Sequence, residues 1–513
     1  MGFLVVYRSF LVALYVAMDN YAGTIFAIIF RKDYTFPNVS GFWILVPIII
    51  PLFVKLSLPP YMWDEMAYHW YSPAQAFFEQ KWDFAPGLFN NVPRLIETVD
   101  IALFQAFRTY SVARLLNFMI YFSTIISLGN YLRSKYGVVM SFFGKITFLL
   151  FSYSTLVFST SGYVDVFSAS FLFLAILVLL SEKNILSIVA LLSLALGTKY
   201  TSISPALAIL LITVFVSWKR IFTKKIIVGS ILVFILMGGY WYAKNTFLLK
   251  NPIYPLFFTC DDAYCYKNEN FFGIWTKPIK LLNIPTIVSE LSEKNIAIEI
   301  LVFLAFVVIL FKFNLIKSDL KLIILIFVVD WIISSYSTSF MLRYFLHWHF
   351  ILIFVFLCLM ATKLRIRWVF GSLLFICAVY TLLVSWSYLF KNPIEHRYAL
   401  GKSDIYNWID SHFYEMKSAI KWCDKQNTIV QTSIKDPNLI WANYEGMFRV
   451  FLVNCIVSDI SKVRAPQKFY FFSLLNCGEP TVYPEHEPWH IINQNYICNA
   501  KKVNPHVFEY EIK

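Results

Sequence analysis

Charged residues are scarce in this chain of 513 residues. Only 15% are Asp, Glu, Lys or Arg, 58% are hydrophobic, and the mean hydropathy is +0.62. A soluble globular protein carries about 25% charged residues, so this chain has too few to cover a water-exposed surface. The high apolar content and only 17 glycines also exclude a disordered chain, a collagen and a disulfide-rich mini-protein. The class that remains is a polytopic membrane protein.

Apolar runs long enough to cross a bilayer recur along the chain. A transmembrane helix needs about 20 mostly apolar residues. The runs predict an α-helical polytopic membrane protein with about twelve transmembrane helices by this length criterion. The candidate spans lie near residues 3–30, 42–58, 112–130, 138–160, 164–181, 184–197, 201–217, 226–243, 296–311, 321–335, 341–360 and 368–390.

The basic residues collect on one set of connecting loops. Cytoplasmic loops of membrane proteins are enriched in Lys and Arg, so this set is predicted to be cytoplasmic. That placement explains the net charge of +13 and leaves no need for a nucleic-acid partner. The opposite short turns hold little beyond Lys199 and Arg343. The predicted cytoplasmic basic residues are Arg31, Lys32, Arg133, Lys135, Lys183, Lys219, Arg220, Lys224, Lys225, Lys312, Lys317, Lys321, Lys363, Arg365 and Arg367.

This topology divides the chain into two predicted domains. Residues 1–390 form the transmembrane domain, with large external loops at 59–111 and 244–295. Residues 391–513 are more polar and are predicted to form a small external α/β domain. Its helix is expected over 411–424, and its strands over 428–434, 449–455 and 468–475. Disulfides are allowed on that side, although free thiols are equally compatible with the sequence. The cysteines in question are Cys423, Cys455, Cys477 and Cys498 in the tail, and Cys260 and Cys265 in the second loop.

The first external loop begins with an acidic and aromatic cluster. Asp64 and Glu65 lie just after a predicted helix, and Tyr68 and His69 share a helical face with Glu65. Asp64 also occupies an N-cap position, so it can simply cap a helix on the membrane surface. An amphipathic stretch follows at 94–108. Amphipathic helices between spans suit a platform in the membrane interface, which could gate lateral access for a lipid substrate.

Several short motifs then resemble the GT-C glycosyltransferases, polytopic enzymes that use polyprenyl-phosphate sugars, such as protein O-mannosyltransferases and the aminoarabinose transferase of lipid A. The resemblance covers roughly residues 40 to 360, in the expected order and on one side of the membrane. One departure is His347, where many relatives place Pro shortly after the Arg-Tyr pair. The matching runs are Asp64 to Pro73, Gly162-Tyr163-Val164-Asp165, Leu196-Gly197-Thr198-Lys199-Tyr200, Trp241-Tyr242-Ala243-Lys244-Asn245, Asn251-Pro252-Ile253-Tyr254-Pro255 and Met341-Leu342-Arg343-Tyr344.

The resemblance implies transfer of a sugar from a polyprenyl phosphate to a lipid, glycan or protein acceptor, with inversion. A hydroxyl acceptor needs a base within hydrogen-bond reach, and Asp64 is the candidate, beside Glu65. The leaving phosphate needs cations, for which Lys199 and Arg343 are the candidates. Asp165 could orient Lys199, help to bind a metal or form hydrogen bonds with sugar hydroxyls. Alternatively, Asp165 could only cap its helix. Lys199 could likewise only extend its charged group to the membrane interface. The remaining expected substrate-binding residues are Tyr68, His69, Tyr200, Tyr344 and Asn245.

Metal binding stays open at this point. His69, His347 and His349 could join Asp64 or Glu65 around a divalent metal. No metal-ligand spacing supports that arrangement, so hydrogen-bonding histidines are the preferred interpretation. Asp330 and Lys145 lie inside predicted spans, where a structural pairing is expected.

Two other functions compete with the glycosyltransferase. A transporter or lipid flippase would explain the many helices, but the chain shows neither internal repeats nor paired broken helices near the midplane. A non-catalytic scaffold would not need Asp64. The absence of external Asn-x-Ser/Thr sites favours a bacterial inner membrane, with external parts in the periplasm, over an ER membrane.

Overall fold

The computed structural model describes two kinds of segment, a set of packed helices and a small sheet. It covers residues 46–58, 69, 92–107, 111–150, 153–181, 184–253, 318–337, 346–361, 372, 376–377, 379–387, 397, 468–472, 501–504 and 507–511.

Apolar α-helices make up most of this part of the chain. The bounds are α1 Val46–Ser57, α2 Leu95–Phe107, α3 Ser111–Tyr136, α4 Val138–Leu150, α5 Tyr153–Ser159, α6 Asp165–Ser181, α7 Ile185–Thr198, α8 Ile203–Ile221, α9 Lys224–Phe234, α10 Tyr240–Leu249, α11 Ser318–Ser337 and α12 Leu346–Met360. A 3-10 helix, Tyr200–Ser202, connects α7 to α8, and a π-helix, Ile235–Gly239, connects α9 to α10.

Three helices in the described segments are long and apolar enough to cross a membrane: Val112–Tyr136, Tyr200–Ile221 and Lys224–Leu249. Each coincides with a predicted span, and α6, α7, α11 and α12 also fall on predicted spans. The predicted span at 138–160 is two helices, α4 and α5. The predicted spans at 3–30 and 296–311 lie outside the described residues, so the total of about twelve remains a prediction based on run length.

The centre of the bundle is α6. It is apolar on every side, and 16 of its 17 residues are buried. A helix with no polar face is stable only when it is surrounded. It packs against α3, α7 and α12, and the ring of Phe173 contacts Phe350 and Phe354 of α12. Asp165 therefore starts a helix whose body is held on all sides.

The span Lys224–Leu249 lies at the edge of the bundle, with only 17% of its most apolar window buried. Leu236 is 81% exposed and Phe247 is 75% exposed. Large apolar side chains on the outside of a membrane protein face lipid, because lipid chains are as apolar as the protein core.

Two glycines allow the π-helix to approach α7 closely. A Cβ added at Gly197 would lie 2.8 Å from the Cα of Gly238, and one added at Gly238 would overlap the carbonyl oxygen of Ser193. No other residue fits this contact, since every other side chain carries a Cβ. The contact brings α10 beside the end of α7, where Lys199 and Tyr200 follow.

Polar contacts join residues that lie near each other at one end of the bundle. Lys135 Nζ lies 3.2 Å from Asp319 Oδ2, and both residues belong to the predicted cytoplasmic side. The hydroxyl of Tyr131 donates to the same carboxylate oxygen at 2.9 Å. Asp330 is paired, as expected, and its partner is His347. The aliphatic part of the Lys145 side chain instead packs against Gly129.

The described part of the C-terminal region is a three-stranded antiparallel sheet, with strands β1 Lys468–Phe472, β2 Lys501–Asn504 and β3 Val507–Glu511. The strand order is β1-β3-β2, with Lys468 opposite Glu511 and Phe472 opposite Val507. The predicted strand at 468–475 is confirmed over 468–472, while β2 and β3 were not predicted. The predicted helix at 411–424, the other two predicted strands and the six candidate disulfide cysteines lie outside the described residues.

Candidate functional site

Asp165 and Lys199 form an ion pair between two helices. Lys199 Nζ donates to Asp165 Oδ1 at 2.8 Å. The side chain of Asp165 is 1% exposed and that of Lys199 is 14% exposed. Asp165 is the first residue of α6, and Lys199 follows the last residue of α7. Both therefore lie at the same end of the bundle, which the charge distribution predicts to be external.

The carboxylate of Asp165 does not cap its own helix. One oxygen accepts from Lys199, and the other, Oδ2, has no hydrogen-bond partner although it is buried. The amino end of a helix favours a negative charge there. A buried carboxylate oxygen that lacks a hydrogen-bond donor costs free energy. A bound hydroxyl that donates to Oδ2 would remove this cost.

Asn117 fixes the backbone that leads into Asp165. Its amide nitrogen, Nδ2, lies 2.8 Å from the carbonyl oxygens of Phe158 and Ser161 and 2.9 Å from that of Tyr163. The side chain is fully buried. The two hydrogens of one amide from α3 are therefore shared among carbonyl oxygens at the end of α5 and in the turn before α6, which holds Asp165 in place.

His69 belongs to a second polar group beside this pair. Its Nδ1 lies 2.6 Å from Glu97 Oε1, and both side chains are almost fully buried. The ring of His69 also lies 5.9 Å from the ring of Tyr163, two residues before Asp165. These contacts link α2 to the turn before α6, and they place His69 beside Tyr163, two residues before Asp165.

Asp100 extends the group by one turn of α2. It is buried, and its Oδ1 has no hydrogen-bond partner. Burial, together with the charge of Glu97 one turn away, raises the pKa of Asp100 well above its usual value. The second oxygen of Glu97, Oε2, is also buried and has no hydrogen-bond partner. Glu97 and Asp100 therefore each keep one buried oxygen without a hydrogen-bond partner.

Tyr200 and Asn245 are also in contact. The amide of Asn245 donates to the Tyr200 hydroxyl at 3.0 Å, and Asn245 is fully buried. The ring of Tyr200 packs edge-on against Tyr242, whose hydroxyl donates to the carbonyl oxygen of Leu196 at 3.0 Å. The Gly197–Gly238 approach makes these bonds possible. The motifs around Lys199 and Asn245 are thus brought together in space.

The structure adds four buried basic side chains near this end of the bundle that sequence reasoning missed. Arg114 donates to the backbone carbonyl of Lys55 at 2.9 Å, and Lys244 lies 4.8 Å above the ring of Trp241. Arg94 and Lys244 are close enough for their charges to repel each other. The signal that could have found them is their position near helix ends on the side where the positive-inside rule predicts few cations. The four residues are Lys55, Arg94, Arg114 and Lys244.

Five of the predicted site residues lie outside the described segments, and their roles stay predictions. They are Asp64, Glu65, Tyr68, Arg343 and Tyr344. The five that are described, His69, Asp165, Lys199, Tyr200 and Asn245, all lie at one end of the bundle.

The described histidines are hydrogen-bonded inside the bundle. His69 contacts Glu97, His347 contacts Asp330, and His349 Nδ1 lies 3.4 Å from the Thr155 hydroxyl. Among the residues that the structure describes, no group of three or more His, Cys, Asp or Glu side chains is arranged to hold a metal ion.

The fold and the site define a helical membrane protein with a buried, charged site at one end of its bundle. No protein-family model and no curated protein sequence matches the chain. Two crystal structures of ArnT from Cupriavidus metallidurans are similar to it. The apo form has a TM-score of 0.45 and 15% identity, covering 80% of this chain and 75% of ArnT. The form bound to undecaprenyl phosphate has a TM-score of 0.47 and 14% identity, covering 80% and 76%.

Proposed function

We propose that this protein is an integral-membrane glycosyltransferase that transfers a sugar from a polyprenyl phosphate to a lipid, glycan or protein acceptor, with inversion. The observation that carries the proposal is the Asp165–Lys199 pair, at 2.8 Å, which joins two motifs that are separate in the sequence. The reaction would take place on the external face, in the periplasm of a bacterium.

The polyprenyl-phosphate leaving group defines what the site must supply. Negative charge builds on phosphate oxygens as the sugar departs, so fixed cations should lie beside them. Lys199, oriented by Asp165, and Arg343 are the proposed phosphate-binding residues. Lys offers a point charge, whereas Arg can bind two phosphate oxygens at once. Arg94 and Lys244 supply further buried positive charge at the same end of the bundle.

The acceptor and the sugar need bases and hydrogen-bond partners. Asp64 is the proposed base that takes the proton of the acceptor hydroxyl, with Glu65 beside it. Tyr68, His69, Tyr200, Tyr344 and Asn245 are proposed to bind the substrates. Of the described carboxylates, Asp165 keeps one unbonded oxygen, which suits a sugar hydroxyl.

Donor turnover tests the proposal directly. Membranes containing the wild-type chain receive a panel of labelled polyprenyl-phosphate sugars and a crude acceptor extract. Labelled product and free polyprenyl phosphate are then measured. We expect turnover with one donor, its collapse in Asp64→Asn, and a loss of about 100-fold in Lys199→Gln, in line with removal of one charge-stabilising group.

Lys135→Gln is the matched control. It also removes a Lys from a Lys–Asp pair, but at the opposite end of the bundle, where Lys135 meets Asp319. This variant should keep wild-type turnover. If no donor is turned over by folded, inserted wild-type protein, the glycosyltransferase proposal is wrong, and transport of a lipid becomes the hypothesis to test next.

A further inference from the structure

Asp330 is a buried carboxylate inside a predicted membrane span, and the proposed chemistry does not use it. Its Oδ2 accepts from Trp348 Nε1 at 2.6 Å and contacts His347 Nε2 at 2.7 Å. Its Oδ1 accepts from the hydroxyls of Ser204 at 2.9 Å and Ser334 at 3.0 Å. The residue is 1% exposed. A charge placed within the bilayer is expensive, so its presence requires partners or a function.

These bonds join three helices. Asp330 and Ser334 are on α11, Ser204 is on α8, and His347 and Trp348 are on α12. The contacts come from segments 126 and 17 residues away in the chain. The carboxylate is therefore a junction between α8, α11 and α12, with a partner on each oxygen.

One of the joined helices begins just after Lys199, a proposed phosphate-binding residue. Ser204 is the second residue of α8, which follows Lys199 and the short helix Tyr200–Ser202. Lys199 has extended backbone, and Ser204 follows it by five residues.

The turn after Lys199 is fastened on its other side as well. The hydroxyl of Ser202 is hydrogen-bonded to that of Ser168, one turn into the helix that starts at Asp165. The segment from Lys199 to Ser204 is thus held by Asp165 and Ser168 of α6 and by Asp330 of α11.

We infer that Asp330 is a positioning residue that sets the placement of Lys199, through its bond to Ser204 in the segment that follows Lys199. The inference rests on the proposed function, because it assigns Lys199 to the donor phosphate. A cation stabilises a phosphate well only when it is held in the right place, since a small displacement costs much of the gain from preorganised groups.

Binding of a labelled polyprenyl phosphate to the purified protein tests this inference without requiring turnover. Asp330→Asn keeps the size of the side chain but replaces one acceptor oxygen with a donor. We expect it to weaken binding about ten-fold, the size of a typical coupling between contacting residues. The double variant Asp330→Asn/Lys199→Gln should bind no more weakly than Lys199→Gln alone, because both changes act through the same side chain.

Asp319→Asn is the matched control on the same helix. Asp319 also has two partners, Tyr131 and Lys135, but lies at the other end of α11. This variant should bind the lipid as the wild type does. If Asp330→Asn does not fold, Ser204→Ala replaces it, since that variant removes the hydroxyl that contacts Asp330 and Ser334 and should weaken binding several-fold.

The outcomes separate the inference from the proposed function. Wild-type protein that binds no polyprenyl phosphate would overturn both. Binding that weakens in Lys199→Gln but stays at the wild-type value in Asp330→Asn would overturn the inference alone. Effects of Asp330→Asn and Lys199→Gln that simply add would do the same, because a residue that only stabilises the bundle acts independently of Lys199.

Discussion

Lys199 and Asp165 are 34 residues apart in the chain, yet Nζ of one lies 2.8 Å from Oδ1 of the other. The pair is unequal, because Asp165 is buried almost completely while Lys199 keeps some contact with solvent. Removing Lys199 therefore leaves a buried carboxylate without its counter-charge, whereas removing the charge of Asp165 leaves a lysine that keeps some contact with solvent. This asymmetry makes the stability of the two single variants a test of the geometry.

Lys199→Gln should destabilise the protein more than Asp165→Asn. The first variant leaves a carboxylate 1% exposed without its counter-charge, and breaking a buried pair in this way costs about 3 kcal/mol. The second leaves a lysine that can extend toward solvent, at a cost of about 1 kcal/mol. Thermal unfolding in detergent gives both values. An equal or larger loss in Asp165→Asn would contradict the contact.

Asp100 should make the stability depend on pH. Burial and the charge of Glu97 raise the pKa of Asp100 in the folded protein. In the unfolded chain, the pKa of an Asp side chain is about 3.9. The folded state therefore holds the proton more tightly. The stability from this group is fully present below the unfolded pKa and is lost as the pH rises through the raised pKa.

Asp100→Asn removes this loss. Its melting temperature, measured against the wild type between about pH 4 and about pH 8, should rise relative to the wild type as the pH increases. Parallel melting curves for the two proteins would contradict the burial of Asp100.

Gly238→Ala should disturb the site from a distance. The added Cβ would overlap the carbonyl oxygen of Ser193 in the backbone of α7, which cannot rotate away as a side chain can. Overpacking of this kind costs about 1–3 kcal/mol, more than the gain of about 1 kcal/mol from replacing a helical glycine. We expect a lower melting temperature and lower turnover.

Gly229→Ala is the control for that experiment. Its added Cβ meets only the end of the Leu186 side chain, at 3.0 Å, which can move. This variant should be as stable as the wild type or slightly more so. Equal losses in the two variants would mean that the α7 contact at Gly238 has no special role.

Asn117→Asp should be more harmful than Asn117→Ala. Alanine leaves three carbonyl oxygens without their donor, at a cost of about 2 kcal/mol. An ionised aspartate adds repulsion between its oxygens and those carbonyls. Both variants should lower turnover, because the turn before Asp165 is no longer fixed. Ser127→Ala on the same helix, which loses only a bond to the Ser123 carbonyl, should leave turnover unchanged.

Local pattern was enough to place most of the described helices. The apolar runs predicted α6, α7 and α8 to within four residues and the start of α3 to within one, because a spanning helix satisfies its backbone internally and needs only a long apolar sequence. The amphipathic stretch at 94–108 likewise coincides with α2. The same logic failed for 138–160, where one run is two helices, since hydropathy does not show where a helix is interrupted.

The polar partners within the site were harder to foresee. Glu97 follows His69 by 28 residues and Asn117 precedes Ser161 by 44, so no spacing rule connects them. The amphipathic pattern of α2 does not show that both of its acids, Glu97 and Asp100, are buried. The four buried basic residues were missed because a cation near a helix end is expected to reach the interface rather than the interior.

The sequence by itself determined the apolar character of the chain, most of the described helices and, through a family resemblance, the choice of Asp165, Lys199, Tyr200 and Asn245 as candidates. The helices depend on composition and on contacts within one helix, which the order of residues specifies directly. Only the tertiary structure decided that Asp165 meets Lys199, that His69 meets Glu97 and that Asp330 joins three helices. Such contacts arise from how helices pack, and packing is determined by the close fit of side chains such as Gly197 and Gly238 across distant segments.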